Sequence, residues 1–202
     1  GKSLPPVTVK EQPGPEETKA KSTLRAKETT TAKGKQALRD VPQSVTVLTE
    51  MLIDDRNLDD FREVLKTVAG VSFLAGETGE EDIRLRGFSL GQAGDIYADG
   101  LKDAPLIERD TFNHDRVEVL KGSASMLFGK GSTGGVVNQV SKQPFLVTRQ
   151  EADLTLGSGR EARLTGDFNV RTGDDAALRV NVLGHHADNH GAKVGKKGVA
   201  PT

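Results

Sequence analysis

Apolar and polar residues alternate in several separate stretches of this chain, and the texture changes twice along it. Residues 1–37 are dominated by Lys, Glu, Thr, Pro and Gly, with too little apolar surface to offset the entropy of ordering, so a mobile leader is expected. Folding is expected to begin near Leu38. Val45 and Val47 alternate with polar neighbours as a strand, and Thr49 is placed to cap a short helix, Glu50 to Asp55. Leu58, Phe61, Val64, Leu65 and Val68 recur at helical spacing, which predicts an amphipathic helix with Asn57 as N-cap and Gly70 as its stop. Ile83, Leu85 and Gly87 mark a further strand and Ile96 to Ala98 another, followed by a tight turn at Asp99-Gly100. Val117 and Val119 alternate with Arg116 and Glu118, and Gly135 to Val140 reads as the partner strand. Residues 38–146 are therefore expected to form an α+β domain, a mixed four-stranded sheet with short helices.

From Arg149 onward the chain holds strand patterns only. Ala152, Leu154 and Leu156 alternate with Asp153 and Thr155; Ala162, Leu164, Phe168 and Val170 continue the pattern, broken by Gly166. A short turn is expected at Thr172 to Asp175, then a third strand from Ala177 to Leu183, with Gly198 to Thr202 opening a fourth. Periodicity alone suits a soluble meander and a transmembrane β-barrel equally well.

Composition narrows the field only a little. The 202 residues carry a net charge of −1, 35% hydrophobic and 4% aromatic residues, and no cysteine. No basic field for nucleic acid, no disulfide framework and no thiolate metal site follow from that. No apolar run approaches the ~18–20 residues of a membrane helix. No signal peptide stands at Gly1, which is expected of a processed or engineered chain.

Candidate chemistry is sparse. Gly129 to Gly134 matches the dinucleotide fingerprint G-x-G-x-x-G, but GVVNQVSK follows as strand rather than helix, so nucleotide binding is disfavoured. The glycines are better explained by positive φ or close packing. His185, His186 and His190 cluster without a carboxylate-rich setting and read as solvated rather than metal-binding. The acidic runs Glu80 to Asp82 and Asp54, Asp55, Asp59, Asp60 read as solvated faces, and Ser123 and Ser125 have no base beside them. No enzyme is expected and no cofactor. In the leader, Leu4-Pro5-Pro6-Val7-Thr8-Val9 is extended, with Val7 and Val9 on one side, the form needed for strand addition to a partner.

DRVEVLKGSASMLFGKGSTGGVVNQVSKQP (Asp115 to Pro144), VPQSVTVLT (Val41 to Thr49) and IRLRGF (Ile83 to Phe88), in that family's order, resemble the plug domain of TonB-dependent outer-membrane receptors, most closely those for ferric catecholate-type siderophores. The resemblance implies TonB-dependent uptake of a ferric siderophore across the outer membrane, with the plug at 38–146 and the first barrel strands at 147–202. It makes Val7, Thr8 and Val9 the TonB box. It makes Gly91, Gln92, Tyr97, Lys102 and Arg109 the substrate-side residues, on or beside the loops Leu74 to Glu81, Ser89 to Gly94 and Lys102 to Arg109. Arg86 and Lys121 would pair with glutamates of the barrel wall. A barrel of this kind has about 22 strands, so the chain is expected to be a fragment of a longer receptor. No room is expected before Leu4 for an added signalling domain. The alternative is an isolated plug acting as a periplasmic binding module without transport.

Overall fold

A computed structural model describes residues 21, 23–29, 36–41, 43–75, 81–90, 95–103, 109–122, 134–158, 160–189 and 192–201. Two short strands, β1 (Glu28–Thr29) and β2 (Gln36–Ala37), pair antiparallel ahead of the domain. Then come β3 (Ser44–Thr49), helices α1 (Glu50–Asp55) and α2 (Phe61–Lys66), β4 (Val71–Ala75), β5 (Glu81–Leu85), β6 (Phe88–Ser89), β7 (Ile96–Ala98), β8 (Leu101–Lys102), β9 (His114–Lys121) and β10 (Gly135–Ser141). Four long strands follow: β11 (Arg149–Gly157), β12 (Glu161–Arg171), β13 (Ala177–Asn189) and β14 (Ala192–Pro201).

The central sheet has the order β3-β9-β10-β7-β8 and is mixed, because β7 runs parallel to β10 while the other neighbours are antiparallel. The expected mixed sheet is present, and Leu101–Lys102 adds a fifth short strand across the turn at Asp99-Gly100. Both turn residues have positive φ, 49° and 79°, the geometry that matches the twist of a two-residue hairpin. Asp99 is itself held, since its Oδ1 accepts the Ser141 amide at 2.8 Å.

Thr49 caps α1 as its sequence position suggested, its hydroxyl oxygen accepting the Leu52 amide. The second helix starts later than Asn57. Asn57 takes φ 49° in the link after α1, and Asp60 is the cap, its Oδ1 accepting from the Arg62 amide at 2.8 Å. Leu58 packs against the core without being helical. The helix ends at Lys66 with Thr67 as C-cap rather than at Gly70; Gly70, at φ 87°, closes the following turn, and Val71 enters β4. Gly87 is not in a strand: with Arg86 it forms the β5–β6 turn, both at positive φ.

Leu48, Ile53, Phe61, Val64, Leu65, Leu85, Val117, Val119 and Val137 close one apolar core between the helices and the sheet. Tyr97, Leu120 and Val136 form a second, smaller cluster on the other face. Gly134 and Gly135 sit where close approach demands glycine: a Cβ there would collide with the carbonyl oxygens of Leu85 and Leu120.

β11 to β14 make a separate antiparallel meander in chain order. β13 continues past Leu183 to Asn189, and the fourth strand spans Ala192–Pro201.

Candidate functional site

The meander is inside out. On β12, Arg163 and Asn169 are buried, while Leu164 is 54% and Phe168 38% exposed. On β13, Arg179 and Asn181 are buried while Leu178 is exposed. Register explains the pattern: Thr155, Arg163 and His185 lie across from one another, as do Glu151, Asp167 and Asn181, and Arg149, Asn169 and Arg179. These polar rows share one face, and the α+β domain packs against it. The other face presents Leu154, Leu156, Leu164, Phe168, Val170, Leu178 and Val199 outward. A sheet in water does the reverse; an apolar outer face with a polar inner one suits strands with hydrocarbon outside and a filled polar lumen inside.

Charges join the domain to this polar face. Lys142, just after β10, places Nζ 3.0 Å from Glu50 of α1 and 3.5 Å from Asp167 of β12. Arg179 grips both oxygens of Asp167, at 2.8 and 2.5 Å, in the forked geometry that only a guanidinium provides. Arg163 reaches from β12 to Asp110 at 2.5 Å and Asp59 at 3.4 Å. Glu50, Lys142, Arg163 and Arg179 are all buried, so each charge depends on its partner to offset desolvation. Phe112 adds an apolar contact, its ring meeting Gly198 so closely that any side chain there would crowd it.

Between these contacts lies a cleft of about 560 Å³, bounded by α1, β9, β11 and β12. Glu50, Asp54, His114, Lys142, Asp153 and Asp167 are among the groups on its walls. Loss of solvent there, and then the Glu50 carboxylate, pushes Asp54 up to about 6. Burial likewise raises Asp59 above the usual carboxylate range. Burial pushes His114 down to about 4, so its ring is neutral, set edge-on to Phe61 with centroids 6.5 Å apart.

The acidic run at 54–60 is thus not a simple solvated face. Asp60 caps a helix, Asp59 meets Arg163 and Asp54 borders the cleft. Helical patterning gave no sign of the Asp59 contact, because Arg163 lies 104 residues on in sequence, on β12.

Of the residues expected on the substrate side, Gly91 and Gln92 lie outside the described residues, as do Val7, Thr8, Val9 and His190. Tyr97 is buried against Leu120 and Val136. Arg109 donates to Asp103 at 2.7 Å and lies over the Phe61 ring. Lys102 is exposed on β8. Arg86 is exposed at its turn, beside Gly122, and Lys121 ends β9 half-buried. His185 lies 3.3 Å from Glu161, and His186 3.7 Å from Asp188. Among the described residues no group of three or more His, Asp or Glu side chains is arranged to hold a metal.

Comparison with known proteins agrees with this architecture. The model of the TonB-dependent receptor plug domain matches residues 37–136. The catecholate siderophore receptor Fiu of Escherichia coli K12 is 36% identical over 171 residues, 81% of this chain and 22% of that protein. The probable TonB-dependent siderophore receptor PiuA of Acinetobacter baumannii is 34% identical over 89% of this chain and 25% of its own length. The chain therefore spans about a quarter of the length of these relatives. The crystal structure of PiuA superposes with a TM-score of 0.81 over 91% of this chain and 27% of that one, at 32% identity. The open form of Fiu gives 0.75 over 82% of this chain and 25% of that one, at 34% identity. The chain belongs to the TonB-dependent receptor family, with a plug domain followed by the first antiparallel strands of the receptor's β-barrel.

Proposed function

We propose that this chain is the plug and opening barrel wall of an outer-membrane receptor that imports a ferric siderophore of the catecholate type, energised by TonB. The observation that carries this reading is the inverted burial of β12 and β13. Arginine and asparagine face the plug while leucine and phenylalanine face outward, which gives the strands a lipid side and a plug side. That inversion also disfavours an isolated periplasmic plug, for which an outward row of leucines would be a liability in water. The names of Fiu and PiuA support the siderophore class.

In this reading Gly91, Gln92 and Lys102 meet the ligand. The Gln92 amide donates to ligand oxygens without the desolvation cost of a charge, and Lys102 attracts an anionic catecholate. Tyr97 and Arg109 belong to the same substrate side, Tyr97 buried and Arg109 paired with Asp103. Arg86 and Lys121 pair with the barrel wall beyond the described strands. Val7, Thr8 and Val9 form the strand that pairs with TonB. Force from that partner, rather than a nucleotide, a cofactor or a catalytic group, drives import.

The test is uptake of radiolabelled ferric catecholate by receptor-deficient cells expressing the full-length protein. Uptake that Val9→Pro abolishes while ligand binding persists is the expected result, because proline removes the amide that strand addition needs. Gln92→Ala is expected to weaken binding with folding unchanged. Failure of the unsubstituted protein to accumulate iron would overturn the reading.

A further inference from the structure

The segment 142–148 that links β10 to β11 belongs to neither sheet, yet its backbone is not left to solvent. Asn169 of β12 accepts the Phe145 amide at 3.1 Å and donates from Nδ2 to the carbonyls of Phe145 at 2.7 Å and Val147 at 2.5 Å. Arg179 of β13 donates Nη1 to the Gln143 carbonyl at 2.9 Å, while its other nitrogens hold Asp167 and its guanidinium lies 5.4 Å over the Phe145 ring. Asn169 and Arg179 are 1% and 2% exposed, so their bonds to this short stretch of main chain are made inside the protein rather than in solvent.

The clamp differs in kind from the other joints between plug and wall. Asp110–Arg163 and Lys142–Asp167 are charge pairs between side chains, and Arg163, Lys142 and Asp167 border the cleft. The connector is held instead by backbone hydrogen bonds to buried side chains. Releasing it would strand an amide and a guanidinium in a closed wall. Lys142 marks the boundary: its amide donates to Asn113 of the plug at 3.0 Å, and its ammonium bridges Glu50 and Asp167.

We propose that Asn169 and Arg179 are positioning residues that make the connector a fixed pivot. The segment from Gln143 to Val147 stays against the barrel wall throughout the import cycle, and the remodelling of the plug ends at Lys142. The inference rests on the importer reading above, and it identifies which end of the plug does not move.

Single cysteines in the full-length protein, in energised outer membranes, test it. Val136→Cys reports the plug strand β10 and Pro144→Cys reports the connector, each read as the rate of labelling by a hydrophilic maleimide with and without ferric catecholate. During import Val136→Cys is expected to label about tenfold faster, because its site opens from full burial, while Pro144→Cys keeps its resting rate. Adding Asn169→Ala to Pro144→Cys is expected to make the connector label faster during import, with resting labelling little changed. Equal acceleration at both sites in the otherwise unsubstituted protein overturns the pivot, and so does a Val136→Cys site that never opens while iron enters. Absence of iron uptake by the unsubstituted protein overturns the importer reading and the pivot with it.

Discussion

Val117 and Val119 on β9, and Leu154 and Leu156 on β11, are written in the same period-2 code, yet the first pair is fully buried and the second is 65% and 72% exposed. On β9 the apolar side turns toward helices α1 and α2. On β11 to β14 it turns away from all protein, and the polar side is covered instead. One pattern thus serves two solvents. The plug is organised as a water-soluble domain whose core excludes water, whereas the wall is organised for hydrocarbon on one face and a polar filling on the other.

The sharpest way to break this contrast is through the wall's buried charge. Arg179→Ala takes the forked partner from Asp167 and should destabilise the protein by about 3–5 kcal/mol, measured by denaturant unfolding in detergent. A loss near zero would mean that the polar face is hydrated rather than packed.

Leucine truncation compares the two regions directly. Leu65→Ala, at a fully buried plug position, should cost about 2–5 kcal/mol. Leu156→Ala, at 72% exposure, leaves no cavity within the protein and should cost clearly less in the same detergent unfolding. Similar losses at both sites would contradict an outward Leu156.

Titration offers a smaller handle, confined to the plug. The folded pKa of His114 lies below its ordinary 6.5, at about 4, so the stability it contributes is complete above pH 6.5 and is lost as pH falls toward 4, by up to about 3 kcal/mol. Asp54 works the other way. Its folded pKa is raised to about 6, so its favourable contribution is present below 3.8 and lost as pH rises through 6. Melting curves from pH 4 to 7 should therefore show a steeper acid loss in Asp54→Asn than in the unsubstituted protein, and a shallower one in His114→Gln. Identical slopes in all three would remove the cleft as the source of both shifts.

Much of the architecture was legible in the residues themselves. Strand alternation at Val45, Val117, Leu154 and Ala177, the Thr49 cap and the Asp99-Gly100 turn all depend on local chemistry, and local chemistry is written in sequence. Spacing alone places the start of α2 too early, because Leu58 has the helical spacing of the core while the chain at Asn57 is in the left-handed region. The buried charges were beyond reach for a different reason. Arg163 and Asp110 are 53 residues apart, and nothing in their neighbourhoods distinguishes them from solvated residues until strand register brings them together. The same holds for Lys142, whose role appears only once α1 and β12 are placed on either side of it.

The central claim is that the meander has a lipid face and a plug face, and spin labels measure that most directly. Labels placed singly at Leu154, Leu164, Asp153 and Thr165 sample adjacent, opposed positions on β11 and β12 of the full-length protein in bilayers. Leu154 and Leu164 should collide readily with lipid-dissolved oxygen and scarcely with a water-soluble nickel complex, while Asp153 and Thr165 should show low oxygen exposure. Equal oxygen exposure on both sets, or nickel access at Leu154 and Leu164, would contradict it.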